Sequence, residues 1–140
     1  LTEKIFKPVV ARRPFLLVGA PGNLAYLKSY GFKTFDRWID ESYDLETDPD
    51  QRLNKIVNEL DKLCKLPELE LMQIYNEMQE ILEYNFHWFY NGFRKQITNE
   101  MVDNFESLIK KYNTGKDASF SSYINLSKID LDAVKQLLLQ

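Results

Sequence analysis

The run Pro14-Phe-Leu-Leu-Val18 constrains this chain more than any other stretch. Short, continuous and apolar, it has the pattern of a strand covered on both faces in a parallel sheet. Gly19-Ala-Pro-Gly22 follows with turn chemistry, and Asn23 can cap a helix. Leu24, Leu27 and Tyr30 then repeat at helical spacing, and Gly31 stands where a helix end favours a left-handed residue. Phe32-Lys-Thr-Phe35 alternates as a second strand. Strand, helix and strand in such close succession form a βαβ unit, with parallel strands near 14–18 and 32–35. Two strands do not stand alone as a sheet, because both edges and both faces need cover. Either preceding sequence or a partner chain completes the sheet, or helices wrap a vestigial two-strand core. The start at Leu1 favours the first alternative, so the chain reads as the C-terminal part of something longer.

Around this unit the spacing predicts helices. Thr2 to Arg13 has a capping Thr2, Glu3 in the first turn and a stripe of Ile5, Val9 and Val10, with Pro8 expected to kink it or delay its start. Trp38 to Glu46 is an acidic loop with two large aromatics. Asp48-Pro49 opens a strong helix whose apolar face carries Leu53, Ile56, Val57, Leu60, Leu63 and Cys64. On that stripe Cys64 reads as a buried small hydrophobe. Pro67 opens the next helix, with a stripe running from Leu71 through Ile74, Tyr75, Met78 and Leu82 to Phe89, and Asn91-Gly92 breaks it. A further helix carries Ile97, Met101, Phe105, Leu108, Ile109 and Tyr112. Asn113 to Asn125 is polar and reads as a mobile loop, and Ser127-Lys-Ile-Asp130 resembles a capping box before a last short helix. The expected fold class is α/β, mostly helical: a small parallel βαβ remnant followed by a helical bundle. Residues 1–46 form the βαβ part and 47–140 the helical region, within one structural unit.

Composition and charge exclude several classes. A 44% hydrophobic chain of 140 residues with a net charge of −3 is not disordered. It contains no apolar run of the ~18 residues needed to span a bilayer, and no cationic-then-apolar leader, so a cytoplasmic setting is expected. One cysteine rules out an internal disulfide framework and a thiolate-rich metal site. The charge is uneven: +5 over residues 1–37, −9 over 38–83 and +1 over 84–140. A cationic first quarter can hold one small anion, whereas long nucleic acid needs a larger basic stripe.

Few residues carry chemistry outside that first quarter. Asp40, Glu41 and Asp44 can flank a divalent ion or act as an acid–base pair, or form a hydrated loop that caps the succeeding segment. No metal is assigned. His87, the only histidine, lies in the aromatic run Tyr84-Asn-Phe-His-Trp-Phe-Tyr90 and reads as a packed residue, not a catalyst. Together with Phe93 that run puts aromatics on every side of a helix, for core packing, a homo-oligomeric interface or a sugar-stacking platform. Gly19-Ala-Pro-Gly22 lacks the glycine spacing and lysine of a P-loop, so no nucleotide triphosphatase is inferred.

Thr2-Glu3-Lys4 before a helix, followed by Arg13-Pro14-Phe-Leu-Leu-Val18, resembles the nucleotide-sugar half of GT-B glycosyltransferases, in particular the Thr-Glu-Lys element of the fucosyltransferase family. This likeness covers about the first 20 residues. Over about 44 residues the chain also looks like a group of phage and bacterial proteins without a settled activity. The shared positions are Thr2-Glu3-Lys4, Lys7-Pro8, Pro14-Phe15, Gly19, Pro21-Gly22, Leu24, Tyr26-Leu27, Gly31 to Phe35 and Asp40 to Asp44. The resemblance implies that Glu3 takes the ribose hydroxyls of a nucleoside diphosphate sugar and Lys4 its diphosphate. It makes Thr2 the cap and a phosphate donor, with Lys7 beside them. It also implies that the general base and much of the acceptor site lie on an N-terminal domain, so the 140 residues would be inactive alone. Two function classes stand: a glycosyltransferase-like nucleotide-sugar-binding half-domain, and a non-enzymatic helical interaction module, such as a phage protein, that self-associates through residues 84–93.

Overall fold

A computed structural model describes residues 3–113 together with Asp130, Ala133 and Gln136; for Glu3, Tyr112 and Asn113 it describes the backbone alone. The chain divides into two compact units, Leu1–Asn91 and Gly92–Gln140.

In the first unit a 3-10 turn at Glu3–Ile5 leads into α1, Phe6–Val10, which is shorter than the helix predicted to Arg13. Pro8 sits in the first turn of α1, where its missing N–H removes no helical hydrogen bond. The helix closes in a Schellman motif: the Arg12 N–H donates to the Val9 carbonyl at 3.1 Å and the Arg13 N–H to that of Pro8 at 2.8 Å. Arg12 occupies the left-handed position at φ 50°, a place that usually favours glycine. Its guanidinium lies over the Phe86 ring at 3.6 Å, and its Nε reaches Glu83 at 2.8 Å as an ion pair without hydrogen-bond alignment.

α2 spans Asn23–Ser29, and Gly31 ends it at φ 83°, but Asn23 is its first helical residue and not its cap: the N-cap is Gly22, with no side-chain cap bond. A 3-10 turn at Glu41–Leu45 precedes α3, Pro49–Lys65, whose cap is the predicted Asp48, its side chain accepting from the Gln51 N–H at 2.8 Å. The single helix expected from Pro67 is two, α4 (Glu68–Glu77) and α5 (Gln79–Trp88), meeting at Met78. A π-helical turn at Phe89–Phe93 replaces the expected break at Asn91-Gly92. In the second unit α6 runs Arg94–Asn113. On it Val102 is buried while Met101, Phe105 and Leu108 are exposed, one position off the predicted stripe. The polar 113–125 segment and the last helix lie outside the described residues, except that Asp130 accepts a hydrogen bond from the Ala133 N–H at 3.0 Å.

Neither expected strand forms; among the described residues there is no strand. Segment 14–18 has no regular secondary structure, and its Leu17 N–H donates to the Tyr43 hydroxyl at 3.4 Å. Phe15, Leu16 and Leu17 pack on the core formed by Leu24, Phe35, Ile39, Tyr43, Ile56, Met78 and Leu82, while Val18 is 69% exposed. The apolar run signals burial, and burial here comes from a helical core and not from a sheet. Segment 32–35 has its backbone satisfied by side chains. The Asn85 amide accepts from the Lys33 N–H and donates to the Lys33 carbonyl, both at 2.8 Å, as a neighbouring strand would. Glu41 accepts from the Phe35 N–H at 2.9 Å and the Thr34 hydroxyl at 2.8 Å. One helix, α5, thus substitutes for a sheet neighbour: Tyr84 donates to the Gly31 carbonyl, and Trp88 Nε1 to that of Tyr30. At Gly31 any Cβ would lie 2.8 Å from the Trp88 ring, so the close approach requires glycine as much as the φ does.

Candidate functional site

The acidic loop resolves into three separate structural duties. Asp40 is exposed and closes its own turn on the Ser42 N–H at 2.9 Å. Its backbone N–H in turn donates to Glu59, a buried acid on α3 that also pairs with Lys62. Glu41 holds the 34–35 backbone and forms an ion pair with Lys28 at 3.0 Å. Asp44 is buried, and its two carboxylate oxygens accept from the N–H groups of Leu24 and Ala25 at 3.0 and 3.1 Å. These are free donors of the first turn of α2, whose own N-cap residue, Gly22, offers no side chain. The loop therefore caps a helix that precedes it, whereas its sequence suggests a cap for the segment after it. Its carboxylates point at backbone donors, and among the described residues no three histidine, cysteine, aspartate or glutamate side chains converge on a metal-sized site.

These ion pairs give the unit a defined pH window. The Ser42 N–H first, then Lys62 and Lys55, hold the Asp40 carboxyl below its ordinary 3.8. Lys55 holds Glu46, and the Trp38 indole N–H with Gln73 and Arg37 holds Glu77, below the ordinary 4.5. Burial pulls the Lys28 amine down, but the hydrogen bonds and charges of Glu41 and Asp36 together outweigh it and hold it above 10.5. A carboxylate with a lowered folded pKa stabilises fully above its unfolded value and ceases to do so as pH falls through the folded one. A lysine with a raised folded pKa contributes below its unfolded value and stops as pH rises through the folded one. Melting temperature is expected to be flat across neutral pH, to fall below about pH 4.5 and to fall again above about pH 10.5. Glu59 likewise holds the Lys62 amine above 10.5, so Lys28→Met should reduce the alkaline limb and Lys28→Met/Lys62→Met should reduce it further; an unaltered limb in the double variant would place the alkaline sensitivity elsewhere.

At the basic end, Lys4 and Lys7 stand exposed one helical turn apart. Thr2 lies outside the described residues, and the Glu3 side chain is not among those placed. The cations of the first unit are otherwise engaged. Arg12 pairs with Glu83, Arg37 with Glu77, Lys55 with Glu46, Lys62 with Glu59, Lys65 with Asp61 and Lys28 with both Asp36 and Glu41. Arg13 bonds the Tyr75 hydroxyl, Arg52 the Glu46 carbonyl, and Lys33 sits over the Tyr84 ring. Among the described residues of Leu1–Asn91, only Lys4 and Lys7 have no ion-pair, hydrogen-bond or ring partner for their amines.

The aromatic run makes ring contacts without fully burying any of its rings. Phe89 meets Phe6 at 5.0 Å, Phe86 lies under Arg12, and the Tyr84 and Trp88 rings lie parallel to each other while donating to the Gly31 and Tyr30 carbonyls; Tyr90 is half exposed. His87 is exposed, 3.7 Å from Glu83.

A feature that the sequence does not announce is an apolar cleft of about 570 Å³ between the 13–16 segment, α3 and α4, with Ile39 and Met78 among its lining residues. Its α3 wall is Leu60 and Leu63, on a helix whose apolar face is only half used. Ile56 is buried, but Leu53, Val57 and Leu60 are 51%, 52% and 51% exposed, and Cys64 is exposed too, contrary to its expected burial. The signal was present in the sequence as a stripe wider than one neighbouring helix covers. No helix among the described residues is long and apolar enough to cross a membrane. No family model, curated protein or solved structure matches the chain.

Proposed function

We propose that residues 1–46 bind a nucleoside diphosphate sugar through Lys4 and Lys7, as the nucleotide-sugar half of a glycosyltransferase-like protein. The observation that carries this reading is the absence of any described partner for these two amines in a unit whose other cations are all engaged. Unpaired amines one turn apart form a compact dianion site, since a diphosphate presents two anionic groups to neighbouring point charges. Transfer would then depend on electrostatic stabilisation of the departing nucleoside diphosphate. The residues that the Thr-Glu-Lys likeness assigns, Thr2 and Glu3, adjoin Lys4 in the chain. The acidic loop is not included in the site, because its carboxylates cap and brace the fold.

Millimolar GDP or UDP, with or without the sugar, is expected to raise the melting temperature of the wild-type chain, as any ligand selective for the folded state does. The Lys4→Ala/Lys7→Ala double variant should keep its own melting temperature and lose that increment. A shift of equal size in the double variant would move the nucleotide away from these lysines, and no shift in either protein would remove the reading. A non-enzymatic interaction module draws its support from the exposed stripes Leu53/Val57 on α3 and Met101/Phe105/Leu108 on α6. It requires concentration-dependent self-association in sedimentation, through those stripes or through residues 84–93, where Tyr84 and Tyr90 are 37% and 50% exposed.

A further inference from the structure

We infer that the cleft between the 13–16 segment, α3 and α4 is a binding site for a single-chain alkyl carboxylate, with its head on Arg13 and its tail along α3 and α4. The inference does not depend on nucleotide binding at Lys4 and Lys7. At about 570 Å³ the cleft lies within the range of small-molecule sites. Its floor is dry, since Ile39 and Met78 are buried, while Leu60, Leu71 and Met72 leave apolar surface open at the mouth. Arg13 is the one charged residue lining it. Its Nη1 donates to the Tyr75 hydroxyl at 3.0 Å, which fixes the guanidinium at the rim. Tyr75 is a neutral acceptor, so this bond leaves the positive charge uncompensated, and no carboxylate of the described residues pairs with it. Arg12 and Arg37 differ in that each pairs with a glutamate.

A guanidinium has a planar fork of donors, and the Tyr75 bond occupies only part of it. The remainder suits a carboxylate, which takes two parallel hydrogen bonds. One cation at the edge of an otherwise apolar cleft is complementary to one anion at the end of an apolar tail. A peptide helix would bring several polar groups to a lining that offers partners for few. The tail would also cover the leucines and methionine that the fold leaves in water, and each methylene buried should strengthen binding about fourfold.

The test is calorimetric titration of the full chain with decanoate, octanoate and 1-decanol, each below its micellar or solubility limit. Saturable one-to-one binding of decanoate is expected. Octanoate should bind more than tenfold weaker, following the methylene increment, and decanol about tenfold weaker, because a neutral head forgoes the charge-assisted bonds. Arg13→Gln should reduce decanoate to the affinity of decanol and leave decanol unchanged. Leu71→Glu, at an exposed position that need not disturb folding, should weaken both ligands at least tenfold. Equal affinity for decanoate and decanol in the wild type would overturn the inference, as would an Arg13→Gln variant that still prefers the acid. So would the absence of saturable heat, or a dimer in sedimentation that Leu71→Glu dissolves, since the cleft would then be a contact between protein surfaces.

Discussion

Asn85→Ala is expected to destabilise the first unit by about 2–4 kcal/mol in urea unfolding with an unchanged m-value. The side chain is only 2% exposed and makes two hydrogen bonds of 2.8 Å to one residue, one to the Lys33 N–H and one to its carbonyl. Truncation leaves a donor and an acceptor of the same peptide segment unpaired beneath α5, and each such group costs about 1–3 kcal/mol when water cannot replace the partner. A loss below about 1 kcal/mol would mean that water or a shifted backbone satisfies Lys33, and the sheet-mimicking role of Asn85 would be wrong. Asn85→Asp separates the two bonds. The carboxylate still accepts from the Lys33 N–H but faces the Lys33 carbonyl without a donor. Protonation restores that donor, so the folded pKa of the introduced group should be raised. Its stabilising contribution is then present at low pH and lost as pH rises through the folded value. The gap between Asn85→Asp and wild type should therefore narrow as the pH falls.

Asn85 also shows why part of the fold was legible in the sequence and part was not. Local signals worked where one residue governs one turn. Asp48-Pro49 started α3, and Gly31 ended α2 in the left-handed conformation, as read. Segments 14–18 and 32–35 read as strands, and neither forms one. Periodicity reports which side chains are buried, and a buried extended segment looks the same whether a strand or a row of side chains satisfies its backbone. The partners of 32–35 are Asn85, 52 residues from Lys33, and Glu41, and no pattern in Phe32-Lys-Thr-Phe35 names either. The cleft was hidden for a related reason. A stripe from Leu53 to Cys64 is read as core by default, and only packing reveals that Ile56 is buried and Leu63 partly so while Leu53, Val57 and Leu60 stay half in water. The candidate site fared similarly. Lys4 and Lys7 are singled out by the Thr-Glu-Lys resemblance, but their lack of partners among the described residues emerges only once every other cation of the unit has found one.

Asp44→Ala is expected to cost about 2–4 kcal/mol, and Asp40→Ala, four residues away, less than about 1 kcal/mol. The sequence groups both as members of one acidic loop; burial and partners divide them. Asp44 is 7% exposed and supplies both acceptors for the first free N–H groups of α2, while the Gly22 N–H donates to its carbonyl at 2.8 Å. Removing the carboxylate uncaps a seven-residue helix that contributes the buried Leu24 and Leu27, so the damage reaches the core. Asp40 is exposed, and its carboxylate closes one short turn. Asp44→Asn should fall between the two. One amide oxygen replaces two acceptors, and the amide nitrogen opposes an N–H donor. Midpoints of urea unfolding for the three variants check the order. Equal losses for Asp44→Ala and Asp40→Ala would mean the cap is not what holds α2. If the loop instead existed to hold a cation or a substrate, removing its buried acid would relieve repulsion between neighbouring carboxylates and leave the apo fold as stable or more so. A loss of stability in the absence of ligand is therefore the result that separates a brace from a binding site.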